Sequence, residues 1–327
     1  MNNHELNWTD MAFGSKKPLK SLKAIFIAPS RQMSQARFVQ IIKKYLPLGN
    51  IVVAISKENY ILGYDNQPQF KTLDKSVIEK VITKVNSSTS VHKITILNCS
   101  QKDVLDIYNS AKFKSVLLVN GSWQYSFHLR PEYYCLVNNN IPFEYISPFA
   151  DEAEAISYDK SIGLIDNKIN QNLVVSETEA LSIAIAAGRD SFDTSFQTGV
   201  ALAENVKDGY KIIKTYYNKT VPYRTFAWHY GAQREKHCAM PGDLTYYDTV
   251  HAEILMAIDG KNLDDKTLFI ELLPCPNCAR MLCETGISEI VYSLDHSDGY
   301  AVKLLEKAGK TVRRHVVTND ILDMETE

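Results

Sequence analysis

The chain has 327 residues, of which 45% are apolar and 23% charged, with a formal net charge of −2. This balance excludes wholesale disorder and gives no cationic excess to neutralise a nucleic-acid backbone, so a small substrate is expected and a polymer is not. No apolar run reaches the ~18–20 residues that a membrane span needs, and the N-terminus lacks a signal-peptide core; a cytoplasmic protein of two domains is expected.

In chain order, residues 1–20 read as a flexible polar leader. Lys23 to Ala28, Asn50 to Ser56, Lys93 to Leu97 and Ser115 to Val119 are short β-branched runs that predict buried strands, with a last strand over Phe143 to Ser147. Between them QARFVQIIKKYL, DKSVIEKVITKV and DVLDIYNSA carry helical periodicity. Strands alternating with helices predict βαβ units and a parallel, Rossmann-like sheet over 21–170. The stretch from Asp151 to Asn172 is mixed and turn-rich, and a domain boundary is expected near residue 170. Beyond it, Ser176-Glu177-Thr178-Glu179 has the form of a capping box that opens a helix. The pattern then gives strands over Phe196 to Ala203 and Tyr210 to Asn218, a long loop, and a helix from Val250 to Asp259. A strand from Thr267 to Leu272, a helix from Pro276 to Thr285 and a strand from Glu289 to Ser293 follow. A helix from Gly299 to Ala308 and a strand from Thr311 to Val317 complete a second domain over 171–327, an α/β/α layer structure with a mixed sheet.

Of six cysteines, only Cys275 and Cys278 have a C-x-x-C spacing, which suggests metal or redox chemistry and not a disulfide framework. Upstream stands His251-Ala252-Glu253. One imidazole and two thiolates supply three tetrahedral ligands and leave the fourth position open, the arrangement of a catalytic zinc site. At a helix start, Cys275 and Cys278 can point the same way, and the helix dipole favours thiolate there. Glu253 is not needed as a ligand and is placed to move protons between water, ring nitrogen and leaving amine. Each motif alone has a structural reading; together they match the H-x-E and P-C-x-x-C signature of zinc deaminases. His237-Cys238 is the best candidate for an extra ligand pair, at a second, structural zinc, against the reading of an ordinary loop.

VHAEILMAI, LFIELLPCPNCARMLCETGISEIVYS and DGYAVKLLEKAGKTV resemble the cytidine and deoxycytidylate deaminase superfamily from about Ala180 to Val317, with SFQTGVALAEN and KIIKTYYN similar to its first two strands. The resemblance implies Zn²⁺, a nucleotide substrate and a homo-oligomer. It places substrate contacts at Ala252 in the H-A-E motif, at Asn218 on the sugar and at Arg224 or Arg234 on the phosphate. Leu273 stands where that family often has Glu or Ser. The N-terminal half weakly resembles a nucleotidyltransferase-like Rossmann domain, but Ser34 to Arg37 lacks the paired histidines, which implies a degenerate nucleotide-binding or oligomerising module. Ser122, His128 and Arg130 are candidates to line a crevice at its strand ends, beside Trp123.

Hydrolytic deamination of dCMP or a related cytosine nucleotide is the leading expectation. A base-flipping RNA or DNA deaminase is disfavoured by net charge. A nucleotide-sensing scaffold with structural zinc is disfavoured by Glu253, since a purely structural site needs no proton shuttle.

Overall fold

The computed structural model describes residues 23–162, 174–240, 243 and 245–315. The leader, the boundary near residue 170 and the end of the last strand, at Val316 and Val317, lie outside them. Two compact units divide the chain: residues up to Ile162 with Thr225–Asp248 form the first, and Gly163–Arg224 with Thr249–Glu327 the second.

The first unit is a five-stranded parallel sheet: β1 (Ile25–Ile27), β2 (Ile51–Ser56), β3 (Ile94–Cys99), β4 (Ser115–Val119) and β5 (Phe143–Ile146), in the order β3-β2-β1-β4-β5. Side chains alternate between its faces. Ile25, Ile27, Val53 and Leu117 pack beneath α1 (Gln35–Tyr45) and α2 (Lys75–Asn86) through Phe38, Ile41 and Ile78. Phe26, Val52, Val116 and Leu118 face α3 (Val104–Ser110) and α4 (Pro131–Asn138) through Ile107 and Leu136. Helices therefore cover both faces, and the strand order reverses between β1 and β4. The alternation of strands and helices already implied this parallel sheet. Helices that went unread include α4, which starts with Pro131 in its first turn, and α5 (Glu152–Ser161), which lies inside the stretch read as turn-rich and buries fully only Ala155, too little apolar signal for a period; the short helices Phe226–Tyr230 and Gln233–Lys236 lie in what was read as a long loop.

The excursion Thr225–Asp248 joins this unit because its anchors are buried there, so the second domain is not the single continuous 171–327 block expected. Trp228 is 3% exposed. The Arg31 guanidinium lies 3.4 Å from its ring centroid, and Phe70 meets it edge-on. Gly121, at φ +75°, allows this packing, since a Cβ there would stand 2.7 Å from the indole. The Glu235 carboxylate accepts hydrogen bonds from Trp123 Nε1 and the Phe127 amide and faces His128 Nδ1 and the Tyr145 hydroxyl.

The second unit begins with β6 (Val174–Val175) and α6 (Glu177–Gly188), whose Ser176–Glu179 capping box forms as expected. Next come β7 (Gly199–Val206), β8 (Gly209–Tyr217) and the short β9 (Lys219–Thr220), which pairs with β10 (Thr249–Val250). Then follow α7 (Ala252–Ile258), β11 (Lys266–Leu272), α8 (Pro276–Cys283), β12 (Glu289–Leu294), α9 (Tyr300–Lys307) and β13 (Thr311–Arg314). The mixed sheet has the order β13-β12-β11-β7-β8-β6, with β11, β12 and β13 parallel and the other pairs antiparallel. Helices α7, α8 and α9 cover one face through Met256, Leu282 and Leu305, and α6 covers the other through Leu181 and Ala184. Gly199 permits the close approach of α6, since a Cβ would come within 2.1 Å of the Ala184 carbonyl. β7 starts at Gly199 and not at Phe196, because the preceding amides leave the ladder: Ser195 and Phe196 donate to Asp193 Oδ1, and Thr198 donates to Asn218 Oδ1.

Candidate metal and catalytic site

Two helix starts build the site. The β9–β10 pair leads into His251, which is the N-cap of α7; β11 leads into Cys275, the N-cap of α8, and Pro276 fills the first helical position, where an N–H would have no partner anyway. Cys278 follows on the first turn of α8. His251 Nδ1 lies 3.6 Å from Cys275 Sγ and 3.3 Å from Cys278 Sγ, and the three ligand atoms lie within 4.8 Å of one another. Zinc–ligand bonds of about 2.0–2.3 Å at tetrahedral angles put neighbouring ligand atoms roughly 3.6 Å apart, so these distances fit one ion. Among the described residues this is the only group of three or more His, Cys, Asp or Glu side chains that could hold a metal.

The electrostatics favour one thiolate, at Cys275. The hydrogen bond from Cys278, with help from His251, pulls the Cys275 thiol down to about 4, while Cys278 is pushed up by holding the shared proton and by burial. The hydrogen bond with Cys275 raises the His251 imidazole. Glu253 is 3% exposed on the first turn of α7, and burial raises its carboxyl above the ordinary value. Ala252, between them, is fully buried in the core under the sheet.

The other expected residues divide. Asn218 is 4% exposed and its amide is knitted into the fold: Oδ1 accepts from the Thr198 amide, and Nδ2 donates to the Phe196 carbonyl at 2.6 Å and to Asp193 Oδ2 at 3.3 Å. Arg224 is in the same unit, with its guanidinium 4.6 Å from the Phe192 ring centroid. Arg234 belongs to the first unit, where it is buried and donates to the Asp243 and Met240 carbonyls. His237 stacks on Tyr246 and Cys238 is exposed, and no further metal-holding group forms around them among the described residues. Leu273 is buried in the sheet core. In the first unit, Ser122 and Arg130 do line a cleft at the strand ends, whereas His128 turns instead to Glu235 and the Ala239 carbonyl. Asp193 was missed. It accepts from Asn218 and from the Thr249 hydroxyl, two residues before His251, and its only sequence signal is an acidic residue ahead of Thr-Ser in a loop.

Residues 175–294 match the family described as the cytidine and deoxycytidylate deaminase zinc-binding region. This segment belongs to that superfamily. The chain is 32% identical over 117 residues to a deoxycytidylate deaminase of Saccharomyces cerevisiae, covering 34% of this chain and 36% of that one. It is 30% identical over 97 residues to ComE operon protein 2 of Bacillus subtilis, covering 27% of this chain and 51% of the relative. The chain thus spans between a third and a half of the length of these curated relatives. A crystal structure of the dCMP deaminase of cyanophage S-TIM5 with dCMP and dUMP is also similar, at 19% identity and a TM-score of 0.32, over 46% of this chain and all of that one. The matched residues 175–294 include His251, Cys275, Cys278 and Glu253.

Proposed function

We propose that the second unit deaminates a cytosine nucleotide, dCMP or a close relative, by hydrolysis at a zinc site held by His251, Cys275 and Cys278. The observation that carries this reading is the convergence of these three ligands with a buried carboxylate two residues after the histidine. The yeast relative, named a deoxycytidylate deaminase, supports the substrate class.

Zinc in such a site supplies Lewis acidity that lowers the pKa of water from about 15.7 to about 7. The residues do the rest. Glu253 takes a proton from the attacking water and delivers it to the ring nitrogen N3 as oxygen bonds to C4; it then carries the second proton to the amine as the C4–N bond breaks, releasing ammonia and the uracil nucleotide. Burial suits Glu253 to this cycle, because desolvation raises its carboxyl above the ordinary value and makes the carboxylate a stronger proton acceptor.

Arg224 is assigned to the substrate phosphate, since Arg234 is committed to carbonyls in the first unit. Arg224→Ala is expected to raise KM for dCMP about tenfold while leaving turnover of deoxycytidine unchanged, because only the nucleotide offers a charge-assisted contact. Ammonia release from both substrates measures this, and equal loss on the two would contradict the assignment.

A further inference from the structure

The three metal-ligand side chains of the second unit reach the site by unequal routes. Cys275 and Cys278 follow β11, which lies inside the six-stranded sheet between β12 and β7. His251 arrives from β10, a strand of two residues that pairs with the equally short β9 in a ribbon of its own. So short a ladder holds its strands weakly, since even a full two-stranded hairpin is marginally stable by itself. Met256 anchors α7 in the core after the histidine. The chain before it is therefore where the imidazole needs a further anchor.

Asp193, in the loop between α6 and β7, supplies that anchor. Its Oδ1 accepts the amides of Ser195 and Phe196 at 2.6 and 3.2 Å, a local turn that fixes the plane of the carboxylate. Its own amide donates to the Oγ of Ser191, a fully buried residue whose hydroxyl donates to the Asn218 carbonyl. The loop is thereby fastened to the end of β8. Held in this way, Asp193 Oδ2 receives the Thr249 hydroxyl at 3.2 Å and Asn218 Nδ2 at 3.3 Å. Thr249 is the first residue of β10 and stands two positions before His251. Its bond to Asp193 ties the strand that delivers the histidine to a loop that is itself fixed, and a carboxylate is a stronger acceptor than the neutral carbonyls of the ribbon.

We propose that Asp193 is a positioning residue for the metal site: through Thr249 it holds the approach to His251, so that the imidazole meets Cys275 and Cys278 in the geometry one ion needs. The inference rests on the zinc reading of this site. Groups that orient a ligand without binding the metal change its affinity by about 10–100-fold when they are removed, which gives the role a measurable size.

The test measures the zinc affinity of the full chain by competition with a chromophoric chelator, and the rise in melting temperature when zinc is added. Thr249→Val removes the hydroxyl but keeps the branched shape that suits a strand, and Thr249→Ser keeps the hydroxyl. Thr249→Val is expected to bind zinc about tenfold more weakly than the parent and to show a smaller rise, whereas Thr249→Ser stays within about twofold of the parent. Asp193→Ala should lose at least as much, and adding Thr249→Val to it should cost little more, because both act through one bond. If Asp193→Ala does not fold, the two Thr249 variants still decide. Unchanged zinc affinity in Thr249→Val would overturn the proposal, as would equal losses in Thr249→Val and Thr249→Ser. So would a melting temperature of Thr249→Val lowered equally with and without zinc, the signature of a purely structural bond. A parent that binds no zinc would remove the zinc reading itself and this role with it, whereas a parent that binds about one zinc no more tightly than Thr249→Val removes this role alone.

Discussion

Asn218 and Glu253 are both buried polar residues of the second unit, at 4% and 3% exposure, but their surroundings assign them different work. Each polar atom of the Asn218 amide already has a backbone or carboxylate partner, so the residue joins the loop before β7 to the end of β8. Asn218→Ala is therefore expected to destabilise the protein by about 1–3 kcal/mol, because the Thr198 amide and the Phe196 carbonyl each lose a buried hydrogen bond. Thermal melting of the zinc-loaded variant measures this, and an unchanged melting temperature would contradict it. The convergence of His251, Cys275 and Cys278 into a group that could hold a metal was legible from residue type and spacing, since His-x-Glu and Cys-x-x-Cys both stand at helix starts. The architecture around them was not: whether an asparagine amide faces a ligand or a neighbouring amide depends on loop conformation, which the text TYYN does not encode. Arg234 makes the same point, since its carbonyl partners Met240 and Asp243 lie in a loop with no periodic signal.

At the level of elements, strands were legible where both faces are buried, as in IVVAIS and SVLLV, and helices where a cap and a period coincide, as at Ser176. Helix α5 escaped because its polar surface hides the period. The ends of β2 and β3 are joined by a polar lock that the sequence does not announce. Burial opposes ionisation of Glu58, but hydrogen bonds from the Ser100 and Ser56 hydroxyls and from the Gln101 and Glu58 amides together bring its carboxyl down to about 2, from an ordinary value of 4.5. With the folded value below the unfolded one, this stabilisation is fully present above pH 4.5 and is lost as the pH falls through about 2. Glu58→Gln is expected to lower the melting temperature at pH 7 by about 2–4 °C, about 1 kcal/mol after allowance for solvent screening. The gap between variant and parent should close as the pH is lowered from 4 towards 2. A gap independent of pH would show that the charge of Glu58 contributes nothing.

At the scale of the whole chain, the return of Thr225–Asp248 to the first unit was not readable, because Trp228 and Glu235 look like ordinary loop residues until their partners, from Tyr145 back to Arg31, are known. Trp228→Ala should destabilise the first unit by about 3–5 kcal/mol, the range for truncating a buried aromatic. Urea unfolding followed by hydrogen exchange in β1 and β4 reads this out, and unchanged protection there would show that the excursion does not belong to that core. A catalytic zinc held by His251, Cys275 and Cys278, with Glu253 moving the protons, is the proposal on which the reading of the second unit stands. The most direct measurement is zinc content and dCMP turnover of Glu253→Ala beside the parent, with His251→Ala as the metal-free reference. About one zinc per chain is expected in the parent and in Glu253→Ala, with turnover of dCMP to dUMP and ammonia by the parent and a loss of about 100-fold or more in Glu253→Ala. Parent protein that holds zinc but turns over no cytosine nucleotide, or Glu253→Ala that keeps full activity, would contradict it.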